Sequence, residues 1–305
     1  MLQTINSGTK ITYHTGSLSE NSTIVFITHH ESLPEKAVII TEETPFHPMD
    51  YSWADQPGDI GTITTEDAVI NVVDTLTGAI NAESGKLFLG KDIPVRKGTT
   101  GWFFVVVHVV DSINTDIEKL QDQTVHLEVD KQRRLQLSAN HTSAHLMALA
   151  FNKHAAKFWR KAAPRNDSLN SPDLDQLSVQ KSQITTTESL DHYRFGKSLR
   201  KKGFNSADFV GQLKDIEQYA NATIAGWLTS DKGLIAIETS GHQTLETQRV
   251  WKCELPEGIA TMPCGGTHLT SLSQLDSVTL SFKPIEGTPE EIKVHTVAKL
   301  RNAEN

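Results

Sequence analysis

Cysteine is scarce in this chain: Cys253 and Cys264 are the only two among 305 residues. That is too few for the disulfide framework of a small secreted domain, and a reduced thiolate open to metal fits better. Long hydrophobic runs are missing as well. No stretch approaches the roughly 20 apolar residues that span a bilayer. The amino terminus, MLQTINSGTKITYHTG, has neither an apolar signal core nor an Arg-rich amphipathic pattern. A soluble, cytoplasmic protein with no membrane partner is expected. Positive charge is in deficit, with 29 Lys and Arg against 37 Asp and Glu. This excludes a protein that coats nucleic acid non-specifically, but it leaves room for a local basic face. Internal repeats and low-complexity tracts are absent too. The 37% of apolar residues that remain can fill a sizeable core in each of two domains.

Up to about residue 125 the apolar runs are short and turns are dense. Ile11 to Tyr13, Thr23 to Thr28, Ala37 to Thr41, Ala68 to Thr75, Lys86 to Leu89 and Trp102 to Val110 all carry strand signals. Many short strands with regular turns point to a small antiparallel barrel or sandwich. The interval from Thr44 to Gly61 is too rich in Pro, Asp and Gly for regular structure and reads as a loop carrying aromatics. Near Asp130 the period changes. Leu137, His141, His145 and Ala148 fall on one helical stripe with Leu146, Leu149 and Phe151 beside it, so a helix is expected to run to about Arg160. Ser206 or Asp208 is positioned to cap a second helix, whose stripe is Phe209, Leu213, Ile216, Ala220, Ile224 and Trp227. Val278, Leu280 and Phe282, the turn at Gly287-Thr-Pro289, and Ile292, Val294 and Thr296 form a hairpin pattern. The expected architecture is α+β: a β-rich, barrel-like domain over 1–125, then an α+β domain over 126–305 with an antiparallel sheet and one helix bearing metal ligands.

Those ligands are the chemistry-bearing residues. His141 and His145 lie one helical turn apart, so their imidazoles stack on one face. Cys264-Gly-Gly-Thr-His268 follows Pro263 in a loop and adds a thiolate and a third imidazole, a donor set that zinc prefers. No glutamate separates His141 from His145, so this is not the His-Glu-x-x-His arrangement of a zinc protease. Four protein donors close a tetrahedron, whereas a catalytic site keeps a position for water. Either one donor leaves or the site becomes five-coordinate when substrate arrives, or the four residues simply staple the carboxy-terminal loop to the helix.

With Asp130 and Arg133-Arg134 ahead of the helix motif, and Cys264-Gly-Gly-Thr-His268 after it, the chain resembles the editing domain shared by alanyl- and threonyl-tRNA synthetases and their freestanding AlaX-type relatives. The likeness extends upstream to Thr44-Pro-Phe-His-Pro48 and Gln56-Pro-Gly-Asp-Ile-Gly61, and covers residues from about 40 to the end. It departs in two places. Asp50-Tyr-Ser-Trp-Ala-Asp55 stands where the family has consecutive glycines, and Asp191 to Lys202 replaces a shorter apolar and acidic strand.

The resemblance implies one zinc per chain on His141, His145, Cys264 and His268, and hydrolysis in trans of serine or glycine wrongly esterified to tRNA for alanine. It implies that Gln56 lies beside the reacting group, where it would hydrogen-bond the amino acid or the attacking water. Gly265 and Gly266 would let backbone N–H groups reach a developing oxyanion, or form no more than a tight turn. Thr44 is a candidate contact for the serine hydroxyl, a contact that lets a pocket reject alanine. The tRNA acceptor end would meet Arg194, Lys197, Arg200, Lys201 and Lys202, with Tyr193 and Phe195 interleaved, and a second run of Lys157, Arg160, Lys161 and Arg165. Two other readings stay open: a tRNA- or amino-acid-binding module with a structural zinc and no turnover, and a metallohydrolase of small esters or amides.

Overall fold

The computed structural model describes residues 5–111, 117–241 and 243–301, so the first four residues of the amino-terminal segment read above lie outside it. The chain divides into two compact units. The first holds Met1–Arg134, Thr239–Arg249 and Gly265–Thr267; the second holds Leu135–Glu238, Val250–Cys264 and His268–Asn305.

The first unit contains β1 (Lys10–Ile11), β2 (Ser19–His29), β3 (Lys36–Thr41), β4 (Glu43–Thr44), β5 (Gly61–Thr64), β6 (Val69–Asn81), β7 (Leu87–Leu89), β8 (Trp102–Asp111) and β9 (Thr124–Val129). Seven of these form one antiparallel sheet in the order β5-β9-β2-β3-β8-β6-β7, and β5 pairs also with β6. Every strand of this sheet except β7 therefore has a partner on both sides. The unbroken apolar run in β8 has a simple use. Alternate residues enter different cores, Val105 and Val107 with Val38 and Ile40, and Phe104 and Val106 with Ile11 and Tyr13. The expected strand at Ile11 to Tyr13 is shorter than its pattern: it ends at Ile11, and Tyr13–Thr15 is a 3₁₀ turn. The interval 45–60 forms no strand or helix beyond an isolated bridge at Met49, as its Pro, Asp and Gly content predicts.

The second unit contains most of α1 (Lys131–Ala155), followed by α2 (Leu174–Ser178), β10 (Val179–Ile184), β11 (Ser189–Arg194), α3 (Lys197–Lys201), α4 (Ser206–Gly211), α5 (Leu213–Leu228), β12 (Ile235–Thr239), β13 (Arg249–Leu255), β14 (Gly258–Pro263), β15 (Leu275–Ile285) and β16 (Thr288–Leu300). Strands β10-β11-β16-β15 form an antiparallel sheet, with the expected hairpin as β15 and β16. A second sheet, β12-β13-β14, has no counterpart among the expected elements. Helix α1 is buried on almost every side from Leu137 to Asn152, which makes it the centre of the core rather than a surface helix with one apolar stripe.

The expected second helix is two. It breaks at Gln212 between α4 and α5, and the residue at its start is Asn205, not Ser206 or Asp208. All six residues of its apolar stripe are nevertheless buried. Asn221 fastens α5 to β15: its side chain accepts the Leu280 N–H at 2.8 Å and donates to the Leu280 carbonyl at 3.1 Å. The whole is α+β with mostly antiparallel sheets.

Candidate metal centre

Helix α1 starts where Asp130 accepts the Arg133 N–H at 2.9 Å, a side-chain cap at the positive end of the helix. About three turns later it presents His141, buried, and one turn further His145, half-buried. Strand β14 ends at Pro263, and the loop that follows brings Cys264 and His268 to the same place. The four donor atoms lie within 4.8 Å of one another. The Cys264 sulfur is 3.5 Å from His141 Nε2 and 3.2 Å from His268 Nε2. A tetrahedral zinc site has sulfur-to-nitrogen edges of about 3.5 Å. The imidazole centroids are 4.4 to 5.0 Å apart. Beneath them, the fully buried Trp251 of β13 packs on His145 at 4.9 Å and on His268 at 6.0 Å.

The electrostatics agree with a metal. Burial alone would raise the Cys264 thiol, but the surrounding His141, His268 and His145 bring it well below its usual range. Burial pushes His268 down to about 3, despite the attraction of Cys264, so the imidazole is neutral with a lone pair to give. His145 Nε2 is buried and has no hydrogen-bond partner, a cost that a bound cation removes. Cys253, by contrast, is held up at about 12 by burial and is an inert core thiol.

One residue that the motif reading did not single out completes the set. Thr142 Oγ1 lies 3.2 Å from His268 Nδ1 and accepts the Leu269 N–H at 3.1 Å. With Nδ1 as the protonated nitrogen, Nε2 of His268 faces Cys264 as a lone-pair donor.

The first unit disposes the upstream motif as follows. Gln56, 1% exposed, donates its amide to Thr267 Oγ1 at 2.9 Å and accepts the Thr267 N–H at 3.0 Å, gripping the residue that precedes His268 in the chain. Asp59 pairs with Arg134, both buried, and also accepts the His47 N–H at 2.6 Å. Arg134 donates in addition to the Pro45 carbonyl at 2.7 Å. Removing one member of such a buried pair costs about 3–5 kcal/mol. A side chain at Gly58 would strike the Thr75 carbonyl at 2.0 Å, so only glycine lets the loop lie against β6.

Several expected contacts are revised. Thr44 is fully buried and its hydroxyl is committed. It donates to His108 Nε2 at 2.8 Å and accepts the Phe46 N–H at 3.1 Å, which leaves one acceptor lone pair unspent. In the Asp50–Asp55 departure, Tyr51 leans on Phe104 and bonds the Val95 carbonyl, Asp50 pairs with Lys97, and Trp53 is exposed to solvent. Tyr51 and Asp50 thus have partners of their own. Tyr193 and Phe195 are fully buried, and the Tyr193 hydroxyl donates to Asp175 at 2.5 Å, so neither offers a ring to a nucleobase.

Of the basic residues, Arg194 pairs with Glu291 and Arg200 with Glu290, whereas Lys197 and Lys201 are exposed without a carboxylate partner among the described residues. The two basic runs meet. Lys161 Nζ donates to the Lys201 carbonyl at 3.1 Å, and the Arg160 N–H to Gly203 at 2.9 Å. Gly265 is exposed and Gly266 buried.

The fold and the donor set define an α+β chain with a His₃Cys group compatible with zinc. No protein-family model matches the chain. It is similar to curated alanine–tRNA ligases: that of Lawsonia intracellularis, 27% identical over 250 residues, covering 80% of this chain and 23% of the relative; that of Desulfosudis oleivorans, 30% identical over 232 residues, covering 75% and 21%; and that of Methanosarcina acetivorans, 29% identical over 120 residues, covering 39% and 10%. The chain thus carries a region related to those ligases, and in the first two it spans under a quarter of their length. No helix among the described residues is long and apolar enough to cross a membrane.

Proposed function

We propose that this chain is a zinc-dependent aminoacyl-tRNA deacylase that removes serine or glycine from mischarged tRNA for alanine, acting in trans in the manner of the freestanding AlaX-type proteins. The observation that carries the reading is the convergence of His141, His145, Cys264 and His268, in a chain similar to alanine–tRNA ligases over most of its length. In this reading residues 126–305 are the deacylase domain. Residues 1–125 form a small barrel, for which the pairing cycle through β5, β9, β2, β3, β8 and β6 is the support.

The reaction is ester hydrolysis. Water adds to the carbonyl carbon, the bond from that carbon to the ribose oxygen breaks, and the ribose oxygen leaves with a proton. A bound zinc supplies Lewis-acid polarisation or an acidified water at neutral pH. Gly265, exposed, carries no side chain to obstruct an oxyanion approaching its N–H group. Gln56 acts by positioning, because both ends of its amide hold Thr267. Lys197, Lys201, Lys161 and Arg160 meet the acceptor-stem phosphates, with Arg194 and Arg200 at the margin of that face.

Chelation, or His145→Ala, is expected to abolish release of serine from mischarged seryl-tRNA. Undiminished release overturns the catalytic assignment. The four-donor set also suits a closed structural site. That second reading predicts an unfolding transition on chelation, together with no hydrolysis by the zinc-loaded protein.

A further inference from the structure

Arg249 is 7% exposed, and a guanidinium so deeply placed is expected to be paired with a carboxylate or fully hydrogen-bonded. It is neither. Its Nη1 donates to the Thr244 carbonyl at 3.2 Å, its Nε is buried without a partner, and no carboxylate pairs with it among the described residues. Instead the face of Tyr13 lies 5.6 Å from its central carbon, a contact that orients the guanidinium without neutralising it. The uncancelled charge is felt nearby. His14, already lowered by burial, is pushed further down by Arg249, and its Nδ1 is likewise buried without a partner.

The guanidinium also has an approach. A Cβ built on the exposed Gly265 would meet Arg249 Nη2 at 3.1 Å and no other atom within 4 Å. The missing side chain at that position therefore leaves one edge of the fork open beside the residue that follows Cys264. Planar, bidentate recognition of an oxyanion is what an arginine in this state supplies. A solvated lysine would not need the burial.

We propose that Arg249, reached over Gly265 and backed by Tyr13, is a binding site for a phosphate oxyanion of the terminal nucleotide of the substrate. This rests on the deacylase reading for the identity of the nucleotide, not for the existence of the anion site.

The test uses 3′-serylamino-3′-deoxyadenosine, whose amide resists hydrolysis, and its 5′-monophosphate, each titrated calorimetrically into the zinc-loaded chain. The phosphate is expected to raise affinity on the order of 10-fold or more, the range of a hydrogen bond to a charged group. In Arg249→Gln the two ligands should bind alike, Arg249→Lys should restore part of the gain, and Gly265→Val should remove it by covering the open edge. Equal binding of both ligands by the unaltered protein overturns the proposal whether or not any variant folds, and so does a phosphate gain that survives intact in a folded Arg249→Gln protein. Seryl-tRNA hydrolysis by the same preparation reports separately. Hydrolysis with no phosphate gain removes the anion site alone. A phosphate gain without hydrolysis supports the anion site and removes the deacylase reading.

Discussion

At the scale of single residues, the site depends on how each donor is held as much as on which donors are present. Thr142 lies directly after His141 on α1, and its hydroxyl sits between His268 Nδ1 and the Leu269 N–H. Valine at that position keeps the shape and loses both hydrogen bonds, leaving the His268 tautomer unfixed. Thr142→Val is expected to weaken zinc binding by about 10- to 100-fold, measured by chelator competition, with Thr142→Ser restoring most of it. Affinity unchanged in the valine variant would show that His268 is oriented by packing alone. The four clustered donors were legible in the sequence because a turn of helix and a short loop hold each pair together. Thr142 was not, because its partner lies 126 positions away. The bond from the Thr44 hydroxyl to His108 was illegible for a related reason, since 64 positions separate the two.

At the scale of elements, β8 carries a histidine in the middle of an apolar strand. His108 is fully buried, donates from Nδ1 to the Ile39 carbonyl of β3 at 3.0 Å, and leaves Nε2 to accept from Thr44. Burial lowers it from 6.5 to about 4, although the hydrogen bond to Ile39 opposes the shift. The unfolded chain therefore binds a proton before the native sheet does. Stability is complete above pH 6.5 and is lost as pH falls toward 4. At about 1.4 kcal/mol per pH unit, the loss reaches about 3 kcal/mol. His14 contributes with the same sign. Urea unfolding of the first unit, followed between pH 7.5 and pH 4.5, checks this, and His108→Phe should flatten the profile. A midpoint independent of pH would mean that His108 is reached by water in the native sheet. Strands β2, β3, β6, β7 and β8 of this unit were readable from alternation and turn residues, whereas β5, β9 and the sheet β12-β13-β14 were not. Strands β12 to β14 are only five to seven residues long, Gly258 and Pro263 bound β14, and the alternation of β13 buries Trp251, Cys253 and Leu255.

At the scale of the whole molecule, a net charge of −8 coexists with a basic face where the segment that follows α1 meets α3. Lys197, Lys201 and Lys161 are not committed to carboxylates there, while Arg194 and Arg200 are. Replacing Lys197, Lys201 and Lys161 with alanine is expected to weaken tRNA binding and to reduce the slope of log affinity against log salt by about 1 for each phosphate no longer neutralised. Arg200→Ala should change it less, because Glu290 already offsets that charge. Filter binding across a salt series reads both, and a slope identical to that of the unaltered protein would place the nucleic acid elsewhere.

The sequence by itself determined the donor set, the helix that bears half of it, the aromatic and Gly-rich loop, and the order of β-rich and α+β halves. These are local matters of spacing, period and turn chemistry. The tertiary structure alone decided which polar side chains remain available. It turned Tyr193 and Phe195 inward, tied Thr44 to His108, joined Asp59 to Arg134, and left Arg249 buried with a free Nε. Such pairings link residues tens to hundreds of positions apart, and no local pattern encodes them. A buried charge or hydroxyl takes whatever partner the fold brings within reach, and becomes a site when the fold brings none.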